Sequence, residues 1–110
     1  MEVAFGSKRM QKLCSSEAEM RGKLGPECAE KLMRRLAEFK AATTLQDLRA
    51  LPGPRCHELT GDLKGLLSVD LKHPQRLLFR PTPPPPLLPA GGLDWGMVKG
   101  VIVERIEDTH

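Results

Sequence analysis

The sequence predicts an α+β fold in which N-terminal helices pack on an antiparallel sheet built mainly from the C-terminal half. Three observations carry this. Apolar residues recur at spacings of three and four between positions 26 and 41, the period of a helix with one buried face. After Pro54 the period drops to two, in short runs separated by Gly, Pro and Asp. Helices come first and strands after, joined by tight turns, which indicates α+β rather than alternating α/β organisation.

Each element has its own local reason. Residues 2–5 read as a short first strand, closed by Gly6 and Ser7. Ser7 caps a helix reaching about Leu13. Ser16 caps a second, with Glu17 and Glu19 in the first turn, where the helix dipole favours carboxylates. Gly25 ends that helix and Pro26 suits the first turn of the next. Over residues 26–41 the stripe is Ala29, Leu32, Leu36 and Phe39. Lys31, Arg34, Arg35 and Glu38 lie largely off it, and the Arg34–Arg35 pair is expected to face solvent. Thr44 opens a short helix with Leu45, Leu48 and Leu51, stopped by Pro52-Gly53-Pro54.

Four extended runs follow. Residues 55–59 form the first, and Gly61-Asp62 turns the chain. Residues 66–71 form the second, with Leu67, Val69 and Leu71 on one face and Ser68 and Asp70 on the other. Lys72-His73-Pro74 turns again into residues 75–80, where Leu77 and Phe79 oppose Arg76, Leu78 and Arg80. Residues 98–107, rich in β-branched side chains, form the last. Between these two, residues 81–92 hold six prolines, which supply no backbone donor. They are expected to be a stiff surface loop rather than a strand.

The 110 residues fit one domain, and the 28% of charged residues balanced by 40% hydrophobic ones fits a globular rather than a disordered chain. With Phe5, Phe39, Phe79 and Trp95 as the whole aromatic content, the core must come mostly from Leu, Val, Ile and Met. The net charge of +3 is compatible with an anionic partner such as RNA without requiring one. Cys14, Cys28 and Cys56 are odd in number and include no Cys-x-x-Cys, which argues against a disulfide framework or a zinc ribbon and for reduced thiols in the cytoplasm. The start lacks the charged-then-apolar pattern of a signal peptide, and no run is apolar enough to span a bilayer.

The residues able to carry chemistry gather on the expected sheet. Cutting RNA through its own 2′-hydroxyl needs a base, an acid and a cation to hold charge on the phosphorus centre. Histidine suits both proton roles, and Lys or Arg the third. His57 lies on the first of the C-terminal strands, Lys64 at the entry to the second and Arg76 at the start of the third. Asp108 and His110 close the fourth. Antiparallel pairing can bring these ends together. Arg55, Lys64, Lys72, Arg76 and Arg80 outnumber the acids between positions 55 and 80, a strip able to track a phosphate backbone. The bland alternatives are a hydrogen-bonded structural His57, solvated charges at Lys64 and Arg76, and a turn residue at His73. A zinc site from Cys56, His57 and His110 is disfavoured because neighbouring strand residues point to opposite faces.

The ordered run from Leu51 through Gly65 (LPGPRCHELTGDLKG) resembles the central segment of HigB-like toxins of the RelE superfamily. Ser68-Val69-Asp70-Leu71, His73-Pro74, Arg76-Leu77-Leu78-Phe79, Gly91-Gly92-Leu93-Asp94-Trp95 and the ending Glu107-Asp108-Thr109-His110 extend the resemblance, as do Met10 to Cys14 and Lys23 to Pro26. It implies a RelE-like fold with a curved sheet and a toxin of a type II toxin–antitoxin pair. It implies metal-free, cofactor-free cleavage of messenger RNA on the ribosome, and neutralisation by an antitoxin, often a helix-turn-helix protein, through which alone DNA would be met. It implies that His57 and His110 manage protons, Asp108 assists, Lys64 and Arg76 stabilise the phosphate, and Arg55, Lys72 and Arg80 bind RNA.

The chain departs from the family pattern at four places. Thr109 stands where Tyr is common, Leu63 where Arg is common, Leu67 where an aromatic is common, and Gln75 where Tyr is common. These changes remove a cation and possible stacking surfaces. The rival expectation is a weakened or inactive homologue that binds an antitoxin or RNA without cutting. A DNA-binding regulator is a third reading, but the helical half shows no helix-turn-helix spacing.

Overall fold

The computed structural model describes residues 1–108. The expectations placed on Thr109 and His110 therefore lie outside the described residues. The helices form where capping and periodicity place them. Helix α1 spans Lys8–Cys14, and its Ser7 cap accepts from the Met10 amide at 3.1 Å. Helix α2 spans Glu17–Leu24, with Ser16 accepting from the Glu19 amide at 3.3 Å. Helix α3 spans Pro26–Ala41 with its proline in the first turn, and Ala29, Leu32, Leu36 and Phe39 are all buried. Helix α4, Leu45–Arg49, begins where the Asp47 carboxylate accepts from the Thr43 and Thr44 amides.

Five strands make one sheet. They are β1 (Glu2–Phe5), β2 (His57–Glu58), β3 (Leu67–Asp70), β4 (Gln75–Pro81) and β5 (Gly100–Asp108), in the order β1-β5-β4-β3-β2. All neighbours are antiparallel except β1, which lies parallel to β5. The chain reaches that edge through the helices and the remaining strands, so a parallel pairing meets no turn constraint. A register shift between Leu78 and Phe79 makes Glu104 the extra residue of a bulge in β5.

The core lies between the helices and one face of the sheet. Phe39 of α3 meets Phe79 of β4 edge to face, with ring centroids 4.9 Å apart. Leu67, Val69, Leu77, Val101 and Val103 complete that face, and each is fully buried or nearly so. No helix among the described residues is long and apolar enough to cross a membrane.

Several details differ from the sequence expectation. Arg35 is buried, not solvated: its side chain points into the gap between α3 and the loop ahead of β2. There Nε donates to the Asp70 carbonyl at 2.7 Å, Nη1 to Glu38 at 2.8 Å and Nη2 to the Gly53 carbonyl at 3.3 Å. The extended run at 55–59 shortens to His57–Glu58 because Arg55 has a left-handed backbone, φ 51°, which breaks it. β5 starts two residues late. Trp95–Met97 form a helical turn instead, held by the Leu45 amide donating to the Val98 carbonyl and by Arg49 over the Trp95 ring. The loop of prolines is exposed as expected, but it is tied into a hairpin. Leu87 bridges Leu93, and the Leu88 amide donates to the Gly92 carbonyl at 2.9 Å.

Candidate active site

Paired residues of an antiparallel sheet share a face and successive residues alternate, so the register assigns each side chain to a side. With Leu67, Val69, Leu77 and Phe79 turned to the helices, the opposite face carries two cross-strand rows. One is His57–Ser68–Leu78–Arg105 and the next is Asp70–Arg76–Glu107. Arg80, opposite Ile102, lies on the same face four residues beyond Arg76, roughly 13 Å along the strand.

His57 is exposed and held at both ring nitrogens. Nη1 of Arg76 lies 3.1 Å from Nε2, and the Arg55 carbonyl 3.0 Å from Nδ1. A guanidinium only donates. Nε2 must therefore accept, the proton sits on Nδ1, and Nδ1–H donates to Arg55. Arg76 itself is buried, with Nε 3.3 Å from Oδ1 of Asp70, while Nη1 of Arg55 stands 3.6 Å from Oδ2 of the same carboxylate. One acid thus sits between two guanidiniums beside the imidazole. The floor beneath is Ser68 and Leu78, both fully buried, and Ser68 Oγ has no hydrogen-bond partner among the described residues.

The structure therefore brings together His57, Arg76 and Arg55. Arg80 joins them on the same face, its Nε held by Glu104 at 2.5 Å. Lys64 is elsewhere. It follows the 3₁₀ turn Gly61–Leu63 and lines, with Arg80 and the loop of prolines, a cavity of about 700 Å³ that His57 and Arg76 do not reach. Lys72 turns to the helix side and pairs with Glu27 at the start of α3, 2.5 Å away. That hydrogen bond and the ammonium charge hold the Glu27 carboxyl below its ordinary range. Asp108 lies opposite Gln75, which alternation puts on the helix side. The β5 acid that shares the open face with Arg76 and Asp70 is Glu107.

Sequence reasoning missed Asp70 as a site residue, although its alternation with Leu67 and Val69 already put it on the polar face. Leu67, whose departure from the family pattern suggested a lost stacking surface, is 1% exposed and packs in the core. Gln75 is also turned to the helices, so neither change touches the face of His57. Cys56, next to His57, is no nucleophile near neutrality: burial pushes its thiol up to about 12. Among the described residues no group of three or more His, Cys, Asp or Glu is placed to hold a metal ion.

No curated protein matches the chain. A family model, described as the RelE-like toxin HigB of type II toxin–antitoxin systems, matches residues 4–82, a stretch that includes His57, Asp70, Arg76 and Arg80. That match spans more than half of the sequence and agrees with helices packed on an open five-stranded sheet, so the chain belongs to the HigB-like family of RelE-like toxins.

Proposed function

We propose that this toxin is an endoribonuclease that cuts messenger RNA on the translating ribosome, with the strand laid across the sheet face that carries His57 and Arg76. The observation that supports it most is the 3.1 Å contact between Arg76 Nη1 and His57 Nε2, on an exposed face with Arg55 and Arg80. The tautomer leaves the Nε2 lone pair as the basic site. In the reaction the RNA 2′-hydroxyl takes Arg76's place at Nε2 and passes its proton to it. The 2′-oxygen then bonds to phosphorus, while Arg76 turns its donors to the non-bridging oxygens, where negative charge builds. The bond to the 5′-oxygen breaks and that oxygen takes up a proton, in this scheme from His110. The products are a 2′,3′-cyclic phosphate and a 5′-hydroxyl. Asp70 holds Arg76 in place, Arg55 and Arg80 carry neighbouring phosphates, and Asp108 acts indirectly by orienting the end of the chain. Lys72, engaged with Glu27, takes no part. The toxin acts in the cytoplasm, and a cognate antitoxin of the helix-turn-helix type neutralises it.

The test is to map cuts in a message translated by purified ribosomes in their magnesium buffer, with toxin first stripped by EDTA and desalted set beside untreated toxin, and to express the chain alone in cells. The expected result is growth arrest and cuts confined to ribosome-bound message, at the same rate with stripped and untreated toxin. His57→Ala, at an exposed position, should abolish both while keeping the circular dichroism of the parent. A wild-type protein that binds RNA and never cuts it, or a His57→Ala variant that cuts equally well, defeats the proposal.

A further inference from the structure

Apart from Arg80, the residues lining the cavity between the loop of prolines and the turn after β2 play no part in the chemistry above. Its walls are apolar: Pro83, Pro85 and Leu87 on the loop side. Lys64 and Arg80 add two cations, and Glu58 one carboxylate. At about 700 Å³ it lies within the range of small-ligand sites. Leu87 and Leu88 are 63% and 47% exposed, an unusual amount of bare apolar surface beside cationic groups. The loop is also held in shape. Besides the Leu88–Gly92 hydrogen bond, the Asp94 amide donates to the Pro86 carbonyl and the Thr82 amide to the Gly100 carbonyl. Proline restricts the backbone further, so little freedom is lost when a ligand enters.

We propose that this cavity binds one nucleotide of the RNA strand, a subsite flanking the scissile phosphate; the inference rests on the reading of the open face as an RNA surface. Charge and continuity select this occupant. Arg80 belongs to the face of Arg76 and also lines the cavity, whereas Glu58 and Pro81 alternate onto the helix-side face. The cavity thus takes in residues from both faces at this end of the sheet, and a strand leaving Arg76 enters it at Arg80. Lys64 and Arg80 take the phosphate, and the prolines and Leu87 cover the base. With no aromatic ring in the lining, the base is sandwiched by aliphatic carbons rather than stacked on a π-face. Glu58 accepts from an exocyclic amine, which favours cytosine, adenine or guanine over uracil. Lys64 is on this account a binding residue, distant from the reacting atoms.

The experiment titrates the ¹⁵N-labelled full chain with a short single-stranded RNA carrying 2′-O-methyl groups, which can bind and cannot be cut. The amides of Gly61, Gly65 and Gly92 are expected to shift, and Lys64→Ala and Leu87→Ser, both exposed positions, to weaken binding roughly five- to tenfold. An all-uridine oligonucleotide should bind more weakly than an all-cytidine one. Shifts confined to the surroundings of His57 and Arg76, with Leu87→Ser binding as the parent does, overturn the subsite and leave the nuclease reading standing. No binding at any position overturns both. Shifts at the three glycines with a helix-turn-helix antitoxin and none with RNA make the cavity a protein contact and overturn the subsite.

Discussion

Arg35 of helix α3 donates from Nε to the main-chain carbonyl of Asp70 at 2.7 Å, tying the middle of the helix to the end of the strand that bears the candidate site. The same guanidinium reaches the Gly53 carbonyl, so it also fixes the loop that delivers His57. The Asp70 carboxylate, on the far side of that residue, engages Arg76 and Arg55.

Removing this buried guanidinium leaves the Asp70 and Gly53 carbonyls and the Glu38 carboxylate without its hydrogen bonds. Arg35→Ala is expected to lower the stability by about 2–4 kcal/mol. Arg34→Ala, one residue away and exposed, should change it by less than about 0.5 kcal/mol. Urea unfolding of the two variants checks the contrast. Equal effects would mean that the buried contacts carry no stability.

Asp70→Asn separates binding from chemistry. The neutral side chain weakens the hold on Arg76 and removes a negative charge from the open face. RNA affinity should hold or rise, while cleavage falls roughly ten- to hundredfold because the guanidinium is no longer fixed. Single-turnover cleavage rates set beside equilibrium RNA binding give the answer.

Ser68→Ala should stabilise the protein or leave it unchanged, with a gain up to about 1 kcal/mol. The Ser68 hydroxyl is fully buried and has no partner among the described residues, so its loss relieves an uncompensated desolvation. Thermal unfolding measures it. A large loss of stability would show that the hydroxyl has a partner after all.

Thiol chemistry gives a pH prediction. Burial raises Cys14 from 9.0 to about 11 and Cys56 from 9.0 to about 12. Both folded thiols therefore stay protonated at neutral pH, and iodoacetamide should label them only slowly until urea is added. The unfolded thiols ionise first as the pH climbs past 9.0, and the folded ones only near 11 and 12. The stability linked to them is full below the unfolded value and is lost as pH rises through the folded values. A urea midpoint that falls above about pH 9 is expected, and Cys14→Ala with Cys56→Ala should flatten that fall.

The sequence alone determined the local structure. Caps at Ser7 and Ser16, proline after Gly25, the α3 stripe and the two-residue alternation in β3 and β4 are short-range patterns. Each was legible because its physics lies within one turn or one strand. That alternation also sorted Asp70 and Arg76 away from the core before any partner was known. The resemblance of residues 51–65 pointed to the family in the same local way. Tertiary structure alone decided which distant residues meet. Arg35 looked like a surface charge because nothing near it in the chain announces the carbonyls of Gly53 and Asp70. Lys64 and Asp108 looked like neighbours of His57, yet strand register, a long-range property, put one in a separate cavity and the other across from Gln75. Periodicity tells which face a residue takes within its own strand. Only the pairing of strands, fixed by packing across the whole core, decides what stands beside it.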